Sequence, residues 1–482
     1  MSESKRRRAA VDYAAVVVGS GPNGLAAAIT LAQAGHKVLV LEGQPTIGGG
    51  MRSAELTLPG FTHDICSAIH PLGLGSPFFR RLPLAEFGLE WVQPDIPLAH
   101  PLADGRAVAL FRALEETAAG LGPDAAAYTR LMAPWVRDYT KILADFLGPL
   151  RFPQAPLTMA RFGWQALDSA ENLARRRFQG ASARALFAGL AAHAILPLNK
   201  PATAAFGLML GLLGHAIGWP LPRGGTQRLA EAMAAYLRSL GGEIVSGQWV
   251  RALDELPPAR VVLLDVSPRA FIQMTGDGLP PGYRQRLARY RYGPGVFKLD
   301  WALSEPIPWR DAVCRRAGTL HLGPSLEEIV ASEDAIWRGQ HSPTPFTLVV
   351  QPTLFDAGRA PAGRHTGWAY CHVPTGSTVD MTEAIERQVE RFAPGFRDCI
   401  LARHALTTRD YEQYNPNYVG GDINNGVQDL RQLFTRPLAQ LNPYATPLPN
   451  VYLCSSATPP GGGVHGMCGY FAARAALKRL SA

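Results

Sequence analysis

Hydrophobic positions fall into two patterns along this chain. The first is the unbroken apolar run. Tyr13–Val18 (YAAVVV) leads through a turn into an Ala/Leu-rich stretch of helical character, and Lys37–Leu41 (KVLVL) follows it. A run without alternation predicts a strand covered on both faces, as in a parallel sheet flanked by helices. Val261–Asp265 (VVLLD) and Val451–Cys454 repeat that signal. Before the former, a glycine turn, Thr226 as N-cap, a long helix and a Gly241–Gly242 stop predict a helix leading to a strand over Glu243–Val250. The second pattern is alternation. Val296, Lys298, Asp300 and Ala302 share one face of a strand, while Phe297, Leu299, Trp301 and Leu303 share the other. Thr347–Gln351 and Trp368–Val373 predict two more strands. Paired as a sheet, they offer Lys298, Asp300, Gln351, Tyr370 and His372 as polar groups able to face a site, with the inward face left open.

Between these regions, Ser76 to about Pro220 reads as helical, with amphipathic stretches over 123–147 and 161–192 and breaks at Pro149, Pro153 and Pro156. A last helix is predicted over Gly466–Leu480, after a Pro/Gly-rich turn. One stretch is apolar throughout: Ala202–Trp219, with Gly207/Gly211 and Gly214/Gly218 each four apart. It reads either as a membrane span or as a helix buried on all sides beside an apolar tunnel; its shortness and His215 favour burial. The fold class is therefore α/β. A Rossmann-like domain is assembled from 10–75, 221–275 and 416–482, and a mixed α+β domain from 76–220 and 276–415.

The turn after Tyr13–Val18 carries candidate chemistry. Gly19, Gly21 and Gly24 make a GxGxxG between strand and helix, with Pro22 and Asn23 inside it. Gly19 allows the tight turn, Gly21 lets backbone approach a pyrophosphate, and Gly24 lets the helix close on the strand; the helix N-terminus then holds the negative charge. Glu42 ends the second strand about twenty residues on, where a carboxylate binds a free ribose 2′-hydroxyl and repels a 2′-phosphate. The motif is not a P-loop, which needs Gly-Lys followed by Ser or Thr.

Composition narrows the class. A chain of 482 residues, 47% hydrophobic and 18% charged, suits a two-domain globular enzyme. The net charge of +8 is scattered apart from Lys5–Arg8, which reads as a solvated tail, and no aromatic-basic interleaving supports nucleic acid. Six cysteines without a close pair argue against a disulfide reductase and fit a reduced, cytoplasmic compartment. The N-terminus lacks the apolar segment of a signal peptide. No metal spacing is present, and no GxSxG elbow offers a nucleophile. His70, His372 and His465 are each more simply read as hydrogen-bonded structural groups than as catalysts.

The strand, glycine turn, helix and acid, followed by Ile47-Gly48-Gly49-Gly50, resemble the FAD fingerprint of glutathione-reductase-like and amine-oxidase-like flavoproteins. That resemblance implies FAD lying extended, with Gly43, Gly49 and Gly50 along it and Val250 pairing with adenine. Many relatives carry Arg directly after the diglycine; here Gly50 intervenes and Arg52 stands two positions later. The run Asn450–Val464, with Gly420–Ile423 upstream, resembles the closing signature of the phytoene desaturase family, in its branch of pyridine nucleotide-disulfide oxidoreductase domain-containing proteins. It departs at Ser455 and Pro459, where the family commonly has Gly and His. The resemblance implies that Ser455, Gly462, Val464, His465 and Met467 lie against the flavin ring at a helix N-terminus. Cys454 and Cys468 fall nearby, which leaves covalent attachment open. Gly295–Lys298 with Pro308 and Trp309 resembles the monoamine oxidase strand whose lysine holds a water at flavin N5. On that likeness Lys298 is a catalytic candidate beside Tyr370, His372 and His70; alternatively Lys298 and Asp300 form a surface pair. The expectation is an FAD-dependent oxidoreductase desaturating a small apolar substrate, isoprenoid among the candidates, by hydride transfer. A single dinucleotide fingerprint sends electrons to oxygen or a quinone. Oxidation at a C–N bond, or a non-redox isomerase or lipid-binding role, is the alternative, and an apolar substrate leaves peripheral membrane contact open.

Overall fold

The computed structural model describes residues 13–481, so the basic run Lys5–Arg8 lies outside the described residues. Two sheets organise the chain. The first is five-stranded and wholly parallel, in the order Val451–Leu453, Ala259–Leu264, Tyr13–Val18, Val38–Leu41, Glu243–Val245. Tyr13–Val18 is central, and its last four residues are buried. Apolar side chains pointing both ways are what a strand covered on both faces requires. The predicted strand over Glu243–Val250 is regular only as far as Val245; Gly247 at φ +72° breaks it, and the N–H groups of Gly247 and Gln248 then donate to Gln44 O and Glu42 O.

The helix Pro22–Gln33 opens with proline at its first position, where no backbone donor is lost. A Cβ on Gly24 would lie 2.0 Å from the Gly19 carbonyl oxygen, so only glycine lets this helix start so close to the strand end. The terminal helix Met467–Leu480 packs along it, and a Cβ on Gly469 would meet the Asn23 carbonyl oxygen at 1.8 Å. That contact brings the C-terminal turn beside the glycine turn at the chain's other end.

The second sheet has seven strands in the order Ile400–Leu406, Gly295–Leu303, His365–Val373, Thr347–Val350, Ala317–Leu322, Ile96–Pro101, Ala107–Leu110. Only Ala317–Leu322 and Ile96–Pro101 pair in parallel. Its outer face packs Phe297, Leu299, Trp301 and Leu303 against the helix Thr382–Phe392 and its surroundings. Its inner face carries two cross-strand rows, Thr319–Val350–Trp368–Asp300 and His321–Leu348–Tyr370–Lys298. Alternation located the faces, and pairing decides which looks inward. The sequence predicts three of these seven strands: Ala317–Leu322 and Ile400–Leu406 are not among them, and Ile96–Pro101 and Ala107–Leu110 fall in the region read as helical. Their alanines carry helix propensity, but pairing in a buried sheet overrides it. Trp91–Val92 likewise pairs with Leu221–Pro222.

The apolar stretch forms the helix Ala204–Ala216. Thirteen residues rise about 20 Å, short of the roughly 30 Å of a bilayer core. Among the described residues no helix is long and apolar enough to cross a membrane. Its glycines receive neighbours of the same chain: a Cβ would meet Phe187 at Gly207, Met132 at Gly211 and Leu110 at Gly214, each within 3 Å.

Candidate active site

A cavity of about 670 Å³ runs between the sheets. One half follows the parallel sheet's strand tips, where open α/β sheets bind ligands. Gly19, Gly21, Pro22, Asn23, Glu42, Gly43, Gly49, Gly50, Arg52 and Val250 all line it. Gly19 has φ +101°, a left-handed conformation, and donates its N–H to Leu41 O. Glu42 Oε2 accepts from Ser20 N at 2.9 Å and Ser20 Oγ at 2.5 Å, and Oε1 accepts from Gln44 N at 2.9 Å. The carboxylate is thereby fixed at the wall. Arg52 lies over the Tyr414 ring at 4.7 Å and 3.8 Å from Glu42, and its buried Nε has no partner.

These residues fit an extended dinucleotide. The cradle is closed to side chains: a Cβ on Gly49 would stand 2.9 Å from Gly21 Cα, and one on Gly50 would stand 2.3 Å from the Tyr418 hydroxyl. The buried Asn23 Oδ1 is unpartnered beside the helix N-terminus, and with Arg52 Nε it gives the groove unsatisfied polar atoms. Asp265 went unread as a site residue although it ends an apolar strand at a sheet tip. Its Oδ2 accepts from Gly24 N at 2.9 Å, and burial pushes its pKa up to about 7, opposed by that hydrogen bond and assisted by the Glu42 charge.

The groove continues past Ser456, Gly463 and Val464 and the loop Cys66–Gly73. Ser455, Gly462, His465 and Met467 stand behind this wall. Ser455 Oγ donates to Val266 O at 2.7 Å, Gly462 packs on Asn424, and His465 Nδ1 accepts from Met467 N at 3.0 Å. Cys454 and Cys468 are buried and also outside the lining, whereas Cys66 belongs to it. His70 lines the cavity. Thr226 Oγ1 donates to Ser67 O at 2.8 Å and therefore accepts from His70 Nε2 at 3.0 Å, which leaves His70 Nδ1 a bare lone pair. Burial lowers its pKa to about 4, so the ring is neutral.

Beyond lies a chamber walled by Ile195, Leu210, Trp219, Leu348, Val350, Trp368 and Tyr370, with His193 and Thr319 among them. Trp368 and Tyr370 meet edge to face at 5.1 Å. Lys298 and His372 lie outside the lining. Lys298 is fully buried, not at the surface: its Nζ bonds Asp300 Oδ2 and sits 5.8 Å from the Trp368 ring, and burial lowers its pKa against the opposing pull of Asp300. His63 Nδ1 is 3.5 Å from the other Asp300 oxygen. His372 Nδ1 is 2.9 Å from both oxygens of Glu333. Gln351, offered as an inward group, instead accepts from Trp309 Nε1 and donates to Cys314 O and Ala317 O. His193, Trp219 and Thr319 escaped sequence reasoning because isolated residues on separate elements carry no local spacing signal. Among the described residues no group of three or more His, Cys, Asp or Glu could hold a metal ion.

Residues 23–469 match the family described as flavin containing amine oxidoreductase. The chain is 27% identical to the mouse (Mus musculus) pyridine nucleotide-disulfide oxidoreductase domain-containing protein 2, over 97% of this chain and 94% of that protein. It is 26% identical to a phytoene dehydrogenase of Streptomyces griseus over 80% of this chain and 77% of that one. Among solved structures, an oxidoreductase from Methanosarcina mazei superposes with a TM-score of 0.66 at 18% identity, covering 96% of this chain and 99% of that chain. A dinucleotide groove with FAD as its cofactor, the two-sheet architecture and a match over nearly the whole length agree: the chain belongs to the flavin containing amine oxidoreductase family.

Proposed function

We propose that this oxidoreductase desaturates a hydrophobic substrate, isoprenoid in its carbon skeleton, and hands the electrons to oxygen or a quinone. The observation that carries the reading is the distribution of charge along the cavity. Its charged side chains, Glu42, Arg52, Arg251 and Asp265, all belong to the dinucleotide half, and the chamber beyond is walled by aliphatic and aromatic groups. Among the described residues an ammonium substrate would find no carboxylate there, and a charge without a partner is costly in an apolar enclosure. A branched hydrocarbon chain would bury its surface at roughly 25 cal/mol per Å². The identity to the phytoene dehydrogenase of Streptomyces griseus supports the same class.

FAD, when bound, supplies the acceptor for a hydride at N5. Desaturation also releases a proton from the adjacent carbon, and His70 is the residue to which this reading assigns it. The Thr226 contact fixes the tautomer with Nδ1 bare, and the ring borders the cavity. A neutral imidazole suffices, because a carbon next to an electron-deficient centre is a strong acid. Tyr370 and Trp368 shape the chamber and exclude water, while Lys298 and His372 stand behind its wall. The electron-acceptor assignment rests on the single dinucleotide fingerprint.

Oxidation at a C–N bond is the second reading, favoured by the family match and by the edge-to-face Trp368–Tyr370 pair. It requires the amine to enter uncharged. Anaerobic mixing of the FAD-loaded protein with isoprenoids and with primary and secondary amines separates the two. Flavin bleaching by an isoprenoid, with a product two mass units lighter, is expected. Bleaching by amines alone, or stoichiometric NADPH consumption in turnover, overturns the proposal.

A further inference from the structure

The chamber is apolar in its walls but not in all of its atoms. Thr319, 2% exposed, and Trp368, 6% exposed, line it, and among the described residues neither the buried Thr319 Oγ1 nor the buried Trp368 Nε1 has a hydrogen-bond partner. His193 lines it too, and its one hydrogen bond joins its Nε2 to His321 Nε2 at 3.0 Å. A pure hydrocarbon filling the chamber would satisfy none of them, and a buried polar group left without a partner is costly.

The protons on these atoms can be assigned. Gly323 O can only accept, so His100 Nε2, 2.7 Å away, carries a hydrogen and His100 Nδ1 is bare. Only one proton fits between the two Nε2 atoms of His193 and His321. If His193 donated it, His321 Nδ1–H would be a buried donor with no acceptor bonded to it. If His321 donates, its unpartnered Nδ1 is a bare lone pair, the cheaper atom to bury. His193 then keeps its hydrogen on Nδ1, the nitrogen not engaged by His321. Burial lowers the pKa of His193 to about 3 and that of His321 well below the usual imidazole value, so both rings are neutral. The indole N–H of Trp368 can only donate, and the Thr319 hydroxyl is free to.

We infer that the chamber recognises an oxygen acceptor, a hydroxyl or carbonyl, on an otherwise apolar isoprenoid, with His193, Trp368 and Thr319 as its donors. The inference rests on the reading of this chamber as the substrate site. A hydroxyl or carbonyl oxygen offers two lone pairs to these donors, whereas a hydrocarbon leaves all of them orphaned and an ammonium group brings only more donors. His321 is a positioning residue, holding the His193 tautomer from behind.

The test uses FAD-loaded protein and three probes of one carbon skeleton, farnesol, farnesene and farnesylamine, with binding read from perturbation of the visible flavin spectrum and from thermal shift. Farnesol is expected to bind at least about tenfold more tightly than farnesene or farnesylamine. Thr319→Val, nearly isosteric, and His193→Phe should each shrink that preference several-fold while leaving farnesene affinity unchanged. His321→Gln, whose amide still donates, should keep the preference, and His321→Leu should lose it. Equal binding of farnesol and farnesene by the wild type, or equal loss of both in Thr319→Val, overturns the inference with the oxidoreductase reading intact. That underlying reading fails separately, if no isoprenoid of any kind perturbs or bleaches the bound flavin.

Discussion

Asp265 Oδ2 accepts a hydrogen bond from Gly24 N at 2.9 Å, which sets a carboxyl group inside the glycine turn, the proposed seat of the dinucleotide's phosphates. Burial raises its pKa from 3.8 to about 7, so the folded protein holds a proton there that the unfolded chain releases. The sign follows: this group's contribution to stability is fullest below about pH 4 and declines as pH rises through 7. A diphosphate beside it adds negative charge and raises the pKa further. FAD affinity should therefore weaken as pH climbs above about 7, by at most tenfold per unit, and Asp265→Asn should flatten the dependence. Flavin fluorescence titrations across that range measure it; an identical slope in Asp265→Asn refutes it.

Glu42 tests the same half of the groove. Its carboxylate accepts three hydrogen bonds from Ser20 and Gln44, so it is held in place before any ribose arrives. Glu42→Ala removes the ribose acceptor and orphans the buried Ser20 N–H. Weakening of FAD binding by about 10- to 100-fold is expected, since each unsatisfied buried group costs roughly 1–3 kcal/mol. Circular dichroism should change little. Retention of FAD through gel filtration at wild-type stoichiometry and affinity would contradict the assignment.

Arg359 joins the two sheets' surroundings. Fully buried, it pairs with Asp64 Oδ2 at 2.5 Å and Asp356 Oδ2 at 2.8 Å and donates to Pro222 O at 2.8 Å. Asp64 also accepts from Thr226 N, the residue that fixes the His70 tautomer. Burial would raise the Asp64 pKa, but the Arg359 charge and these hydrogen bonds outweigh it and hold the pKa below 3.8. Stability from Asp64 is thus present above about pH 4 and lost as pH falls through its folded pKa. Arg359→Met strands two buried carboxylates and should cost about 3–5 kcal/mol at neutral pH. The gap from wild type should narrow in acid, where both forms carry neutral acids. Urea melts at several pH values report it, and a gap that widens in acid would exclude this account.

The parallel sheet was legible because every rule it obeys is local. Tyr13–Val18, the glycine turn and Glu42 lie within thirty residues, and each glycine's task is set by its immediate neighbours. The chamber was not legible, because its walls are made by pairing. Thr319, Val350, Trp368 and Asp300 come from four strands and become one row only through register. Ile96–Pro101 shows the same limit, since its six buried residues carry no period and gain a structure only from Ala317–Leu322 and Ala107–Leu110. Alternation correctly divided Lys298 and Asp300 from Phe297 and Leu299, but it could not tell a surface pair from a buried one.

Lys298 and Asp300 supply the remaining test, because a buried ion pair can serve stability, chemistry or both. Neither side chain reaches solvent, Lys298 Nζ stacks behind the Trp368 ring, and neither residue borders the cavity. An ammonium screened by an indole is poorly placed to order a water against the flavin, so the pair is expected to act on the fold. Lys298→Met leaves the Asp300 carboxylate buried beside His63 and His404 without its ammonium partner, at a cost of about 3–5 kcal/mol. Lys298→Met with Asp300→Leu removes both charges and should recover most of that loss, a coupling that a double-mutant cycle measures directly. Reoxidation of the reduced flavin by oxygen, followed by stopped flow in the double variant, should change by less than about threefold. A much larger slowing in a well-folded double variant would return Lys298 to the chemistry, acting through the wall it stands behind.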